Sequence, residues 1–354
     1  MIADRIARAR KAAGLSLRDV GQAVGLSHAA IKKYEDGAVV PSSDVLLGLA
    51  RVLNVRTEFF FRQQQVRLEA VEYRKRGLPA KVLLAIEHQV LDLVERRLEL
   101  EALFPRPPGS PFETIAGHAD RIVDLDGVEG EAEAVRNAWD LGSDPIPDLV
   151  DVLEAHGVRV YMLDDSHGCK FDGLAAHVDG HPVIVVGKAW PGDRQRFTLA
   201  HELGHLIVGK RLADALDAEK AANRFAGALL LPRTALLKEV GDARSGMEWR
   251  EIAMLKAEFG LSMRAVTFRL RDLNVIAESR FMAMQRLFMQ RGWHKLEPGP
   301  PFPCERAHAF ERLVFHALAE DYIGEAKAAE LMRMSLPAFK RLRAMDGPDA
   351  VAHQ

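Results

Sequence analysis

Residues 196–205 read Arg196-Phe197-Thr198-Leu199-Ala200-His201-Glu202-Leu203-Gly204-His205, and the run from His201 to His205 has the form H-E-x-x-H. In a helix, residues four apart share a face, so His201 and His205 can turn both imidazoles toward one divalent cation. Glu202 follows the first histidine, where its carboxylate can take a proton from a water polarised by that cation. Phe197, Leu199, Ala200, Leu203, Leu206 and Ile207 make the segment apolar on most faces, which predicts a buried helix. Two buried histidines beside a carboxylate need partners, and a metal supplies one. The pattern therefore predicts a zinc hydrolase site of the peptidase type, with Glu202 as the catalytic base.

A catalytic zinc takes three protein ligands and leaves its fourth position to water. Asp214, Asp217 and Glu219 all follow within a short distance. Residues 217–231 read D-A-E-K-A-A-N-R-F-A-G-A-L-L-L. Ala222, Phe225, Ala226, Leu229 and Leu230 recur there at helical spacing, with Pro232 as a stop. Glu219 falls on the apolar side of this helix and is the preferred third ligand, with Asp217 as the second choice. Two imidazoles and a carboxylate suit Zn²⁺, and also Mn²⁺ or Fe²⁺. Upstream, residues 173–178 and 182–186 read as two strands joined by Asp179-Gly180, a hairpin signal. A sheet edge beside a zinc helix can hold an extended peptide by strand addition. His177, Arg194 and Arg196 are candidates for stabilising an oxyanion, on proximity in sequence alone.

These stretches resemble the ImmA/IrrE group of metallopeptidases. The resemblance runs through R-F-T-L-A-H-E-L-G-H and E-K-A-A-N-R-F-A-G-A-L-L-L-P, and upstream through Phe171-Asp172-Gly173-Leu174, residues 181–186 and Trp190-Pro191-Gly192. It implies a zincin-like fold, zinc on His201, His205 and Glu219, and Glu202 as the base. It also implies a protein substrate of the helix-turn-helix repressor type, whose cleavage releases a silenced operon.

The N-terminus carries a second signal. Residues 2–13 read as a basic amphipathic helix ending at Gly14. Ser16 caps a short helix over 17–24, closed by Gly25, and Ser27 caps another over 28–35. Pro41-Ser42-Ser43-Asp44 opens a fourth helix reaching Leu53. Two short helices joined by a tight turn containing glycine form a helix-turn-helix. Residues 1–62 resemble the Xre, or lambda-repressor-like, DNA-binding domain. In that geometry His28, Ala29, Lys32 and Lys33 face the major groove of double-stranded DNA, Ser27 reaches a phosphate, and Gln22 reaches the backbone or a base edge. Residues 1–62 hold ten Lys/Arg and six Asp/Glu, a net of +4, against −2 for the whole chain. A basic segment in a near-neutral chain suits a polyanionic partner. The resemblance also implies a homodimer on two half-sites.

At 354 residues the chain has room for two or three domains. The expected fold is mainly α, of the α+β kind. The expected divisions are a helix-turn-helix domain over 1–62, a helical connector and proline-rich linker over 63–111, a peptidase domain with a small β-sheet over 112–245, and an α-rich region over 246–354. In the connector, Val82, Ile86, Val90, Leu93, Val94, Leu98 and Leu103 mark a long helix, and Gly77-Leu78-Pro79 separates it from an extended stretch. Residues 252–259 and 263–270, and again 325–343, have the cadence of two short helices around a serine or glycine.

Two cysteines, Cys169 and Cys304, fit a reducing compartment rather than a disulfide scaffold. Cys169 reads as a small core residue. No secretory signal or membrane-length apolar run is visible, so a cytoplasmic protein without a membrane partner is expected. Two functions fit the whole pattern. One is a DNA-tethered zinc endopeptidase that cuts a repressor or antitoxin-like protein under stress. The other is a non-proteolytic regulator, such as an antitoxin of a toxin–antitoxin system, with the zinc fold as a structural or sensing module. An intact Glu202 favours the first, because a purely structural zinc site needs no base there.

Overall fold

The computed structural model describes residues 2–62, 68–73, 79–106, 112, 121–164, 171–178 and 180–345. The chain forms two compact units. Unit one comprises Met1–Glu69, Lys75–Pro108 and His308–Gln354, and unit two comprises Ala70–Arg74 and Gly109–Ala307.

Unit one begins with four helices, α1 (Ile2–Ala12), α2 (Leu17–Val24), α3 (His28–Glu35) and α4 (Ser43–Val52). The starts of α2, α3 and α4 are set by serine caps. Ser16, Ser27 and Ser42 each accept a hydrogen bond from a backbone N–H three residues on, and the Asp19 carboxylate accepts from the Ser16 N–H in a capping box. The α2–α3 turn is tight. Gly25 sits at φ +72°, and a Cβ on Gly21 would lie 2.7 Å from the Leu26 carbonyl oxygen. Ile6, Val20, Ile31, Leu49 and Phe60 are fully buried between these helices. They are the apolar positions that the amphipathic pattern places inward.

The chain continues through β1 (Leu68–Tyr73) and α5 (Ala80–Glu101). The extended stretch and long helix expected around Gly77-Leu78-Pro79 are thus both present. α5 packs on α1, where Arg5 and Arg8 donate to the two carboxylate oxygens of buried Glu95.

Unit two adds α6 (Leu125–Ala138), α7 (Leu149–Ala155), β2 (Arg159–Leu163), β3 (Gly173–Val178) and β4 (His181–Gly187). The four strands form one sheet in the order β1-β3-β4-β2. β2 runs parallel to β4, with Arg159 opposite Val183. β3 runs antiparallel to β4, with Gly173 opposite Val186 and Val178 opposite His181. Gly180, at φ +77°, supplies the backbone that a two-residue hairpin needs. Val183 to Val186 are fully buried, as expected for a strand flanked on both edges and covered by helices.

After the sheet come α8 (Gly192–Val208), α9 (Ala218–Leu230), α10 (Arg233–Val240), α11 (Trp249–Phe259), α12 (Met263–Asp272) and α13 (Glu278–Gln290). α8 lies against β3, β4 and α9. One core joins Leu199 and Leu203 of α8, Phe225 and Leu229 of α9, Ile184 of β4, and Leu270 of α12. α11 ends at Gly260, in the left-handed region, and Ser262 caps α12, so the two-helix cadence over 252–270 forms as read.

The last helices, α14 (Ala309–Ala319), α15 (Glu325–Leu331) and α16 (Leu336–Ala344), belong to unit one. They bury Leu313, Val314, Ala328, Leu331 and Phe339 against Leu100 and Phe104. The C-terminal residues from 246 onward are therefore shared between the two units. The proline-rich stretch over 107–111 and Cys169 lie outside the described residues, while Cys304 is exposed. Among the described residues, no helix is long and apolar enough to cross a membrane.

Candidate metal centre

His201, Glu202 and His205 lie in the second half of α8, on a helix otherwise buried among apolar residues. His201 and Glu202 are 0% exposed. Two glycines bring neighbouring backbone close to this segment. A Cβ on Gly204 would stand 3.2 Å from the Phe225 side chain and 3.3 Å from the Ala222 Cα. Its absence lets α9 approach α8. A Cβ on Gly173, the first residue of β3, would stand 2.6 Å from Thr198 Cγ2 and 3.3 Å from Glu202 Cγ. β3 therefore starts directly against the Glu202 side chain.

The start of α9 decides which acid meets the histidines. Asp217 caps the helix, its carboxylate accepting from the Lys220 N–H at 3.0 Å. Asp214 is exposed and stands 3.7 Å from Arg121. Glu219 lies two residues past the cap, and its oxygens are 3.7 Å from His201 Nε2 and 3.6 Å from His205 Nε2. The two Nε2 atoms are 3.1 Å apart. A ligand atom from each of the three residues falls within 4.8 Å of the other two, and among the described residues no second His/Cys/Asp/Glu cluster does so.

A tetrahedral zinc with bonds of about 2.0–2.1 Å separates its ligand atoms by roughly 3.4 Å. The three observed separations bracket that edge, so the donor set fits the ion in chemistry and in size. The Glu219 side chain is 47% exposed, which leaves one side of the cluster open to solvent.

Residues 153–271 match the family model of the IrrE N-terminal-like domain, a peptidase family. They form an IrrE N-terminal-like domain. Residues 2–58 match a helix-turn-helix domain model. No curated protein matches the chain significantly.

Sequence reasoning missed one residue beside the IrrE-like centre. Asn223 places Oδ1 3.0 Å from His201 Nδ1. With a metal on Nε2, Nδ1 would carry the proton and donate to that oxygen, which would fix the tautomer and the ring angle. The signal was available in the spacing, since Asn223 lies four residues after Glu219 on one face of α9.

Glu129 of α6 anchors the far side of α9. Its Oε2 accepts from Arg224 Nε at 2.6 Å and Arg269 Nη1 at 3.0 Å, and its Oε1 from Arg269 Nη2 at 2.6 Å. Burial pushes this carboxyl's pKa up, but Arg269 and Arg224 outweigh burial and hold it below the ordinary value.

The three oxyanion candidates fall differently. Arg196 is buried, donates to Glu305 and to the Ile146 carbonyl oxygen at 2.6 Å, and ties α8 to neighbouring loops. Arg194 pairs with Asp172 at 2.6 Å and stacks on Trp190. His177 lies half-buried on β3, opposite Pro182.

In the helix-turn-helix domain, Gln22, His28, Ala29, Lys32 and Lys33 are all exposed. Ile31 on the same helix is fully buried, so α3 presents the polar residues as one outer face. Lys32 pairs with Asp36 at 2.6 Å, an exposed pair that a phosphate can displace at little cost. The Ser27 hydroxyl is already engaged as the α3 cap, accepting from the Ala30 N–H at 3.1 Å, though its proton stays available to donate.

Proposed function

We propose that this chain is a DNA-binding transcription regulator whose IrrE-like domain is a zinc-dependent endopeptidase. Its substrate is a helix-turn-helix repressor or an antitoxin-like protein, cut to change gene expression under stress. The reading rests on one observation: His201, His205 and Glu219 converge beside buried Glu202, on a helix contacted by a strand edge.

Zn²⁺ held by His201, His205 and Glu219 supplies a Lewis acid and a water of lowered pKa, and Mn²⁺ or Fe²⁺ fits the same donors. Glu202 takes the proton from the water that attacks the scissile carbonyl and delivers it to the departing amine. Asn223 keeps the His201 ring in its ligating tautomer. Gln22, Ser27, His28, Ala29, Lys32 and Lys33 supply the DNA-facing surface, on a homodimer that spans two half-sites.

The test compares the wild-type chain with Glu202→Gln on the repressors encoded beside its gene. Glu202→Gln keeps metal and DNA binding and loses cleavage by about 100-fold or more. Cleavage surviving in Glu202→Gln would refute the role of the base. DNA binding without cleavage by the wild type would make the chain a non-proteolytic regulator of the antitoxin kind.

A further inference from the structure

The sheet has one edge at which an incoming peptide would meet the metal centre. β4 is paired on both sides, by β2 and β3. β3 pairs with β4 along one side and borders β1 on the other. β3 is also the strand whose first residue lies against Glu202. An extended peptide adding to the outer side of β3 gains ladder hydrogen bonds while lying about 4.8 Å from the strand that touches the base.

That place is taken by the chain itself. Ala70–Arg74 groups with unit two, although the residues before it and after it, through Glu69 and from Lys75, group with unit one. The last four residues of β1, 70–73, are thus drawn out of the connector to complete the sheet beside α8. We propose that β1 is a resident pseudo-substrate: it fills the strand-addition edge of β3, and a peptide enters only as β1 leaves. The inference takes from the peptidase reading the idea that this edge receives peptides.

The energetics favour β1 at rest. Exchanging one strand for another replaces like backbone hydrogen bonds with like, so the ladder itself discriminates little. β1 is tethered, and a short tether presents its end at an effective concentration in the millimolar range. A free peptide at micromolar concentration loses that competition unless β1 is held away.

The test uses a fluorescein-labelled peptide with the sequence of Leu68–Tyr73 and follows its anisotropy, in a Glu202→Gln background so that the probe stays intact. Three proteins are compared: Glu202→Gln alone; Glu202→Gln with Ala70→Pro and Val71→Pro; and Glu202→Gln with 68–73 replaced by a Gly-Ser stretch of equal length. Successive N–H groups of a strand point to opposite edges, so one of two adjacent prolines must remove a donor facing β3. The Gly-Ser protein covers the case in which the prolines prevent folding.

Both altered proteins should bind the probe at least about tenfold more tightly than Glu202→Gln alone. Their amides over 173–178 should exchange faster and regain protection when the peptide binds. Equal affinity in all three, or binding in none, overturns the proposal. Restoring Glu202 in the altered proteins and adding zinc separates the two readings. If the probe binds but the Glu202-restored proteins cut no neighbouring repressor, β1 stands as the edge occupant and the peptidase assignment falls.

Discussion

Replacing Asn223 by alanine should weaken zinc binding by 10- to 100-fold, and the structure says why the loss falls on the bound state. His201 is fully buried, and its Nδ1 faces Asn223 Oδ1 at 3.0 Å. With metal on Nε2, the ring must carry its proton on Nδ1. In Asn223→Ala that N–H loses the Asn223 oxygen, and weakening the hydrogen bonding of a buried donor costs about 1–3 kcal/mol. The metal-free protein escapes much of this cost. Its imidazole can move the proton to Nε2, where His205 Nε2 lies 3.1 Å away and can accept it. The penalty is therefore differential, and 10- to 100-fold in affinity is about 1.4–2.7 kcal/mol. The assay is competition for zinc against a chromophoric chelator at constant pH. Asn223→Asp is the control, because it restores an acceptor of higher basicity and should bind at least as tightly as wild type. A dissociation constant for Asn223→Ala within twofold of wild type, or an Asp variant weaker than the Ala variant, would refute the reasoning.

Glu129→Ala leaves Arg224 and Arg269 buried without their shared carboxylate and should destabilise unit two by about 3–5 kcal/mol. All four tryptophans lie in unit two, so tryptophan fluorescence during urea unfolding reads this unit selectively. Glu129 is held below its ordinary value in the folded state, so its contribution is present above about pH 4.5 and is lost as pH falls through the lower folded value. The alanine variant should lack that acid-side decline. His88 on α5 behaves in the same direction for a different reason. Burial, with Lys11, Arg8 and Arg10 nearby, pushes its pKa down to about 4, and neither ring nitrogen has a hydrogen-bond partner among the described residues. The unfolded chain takes up this proton first, so unit one should lose stability as pH falls from about 6.5 to about 4. Hydrogen exchange of the α1 amides should show that slope in wild type and a flatter one in His88→Leu. Gly21→Val forces a side chain into the Leu26 carbonyl and should cost about 1–3 kcal/mol or more in the helix-turn-helix domain. DNA affinity measured by anisotropy should collapse while tryptophan-monitored unfolding stays unchanged; affinity within threefold of wild type would contradict the packing argument.

What was legible in the sequence was local. Serine caps fix where α2, α3 and α12 begin, left-handed Gly25 and Gly260 fix where α2 and α11 end, and these signals act within four residues. The H-E-x-x-H spacing is also local, since one helical turn aligns the two histidines. Glu219 could be preferred over Asp217 from face alone, and the structure adds the reason: Asp217 is engaged as a cap. What the sequence did not disclose depends on partners far along the chain. Glu129 meets Arg269 across 140 residues, and no periodicity in α6 announces it. The return of α14–α16 to unit one is equally silent, because their apolar stripes are compatible with any partner surface. The place of β1 beside β3 is a pairing choice, and a six-residue strand signal does not name its neighbour.

The centre is assembled by close approach rather than by the motif alone. In the proposed site, α8 carries His201, His205 and Glu202, whereas Glu219 and Asn223 come from α9. The position of α9 is therefore as much a determinant of the site as the histidines. Two features fix it from different sides. Gly204 removes the one Cβ that would hold Phe225 and Ala222 away from α8. Arg224, five residues after Glu219 and so turned well away from it, is held by Glu129 and ties the opposite side of α9 to α6 and α12. Sliding α9 by one residue would move Glu219 by about 1.5 Å along its axis and rotate it by roughly 100°. That motion would also break the Arg224–Glu129 pair in a buried setting, where the loss of one partner is costly. The buried ion pair thus acts on the site by specifying register, even though none of its members touches the metal-binding atoms.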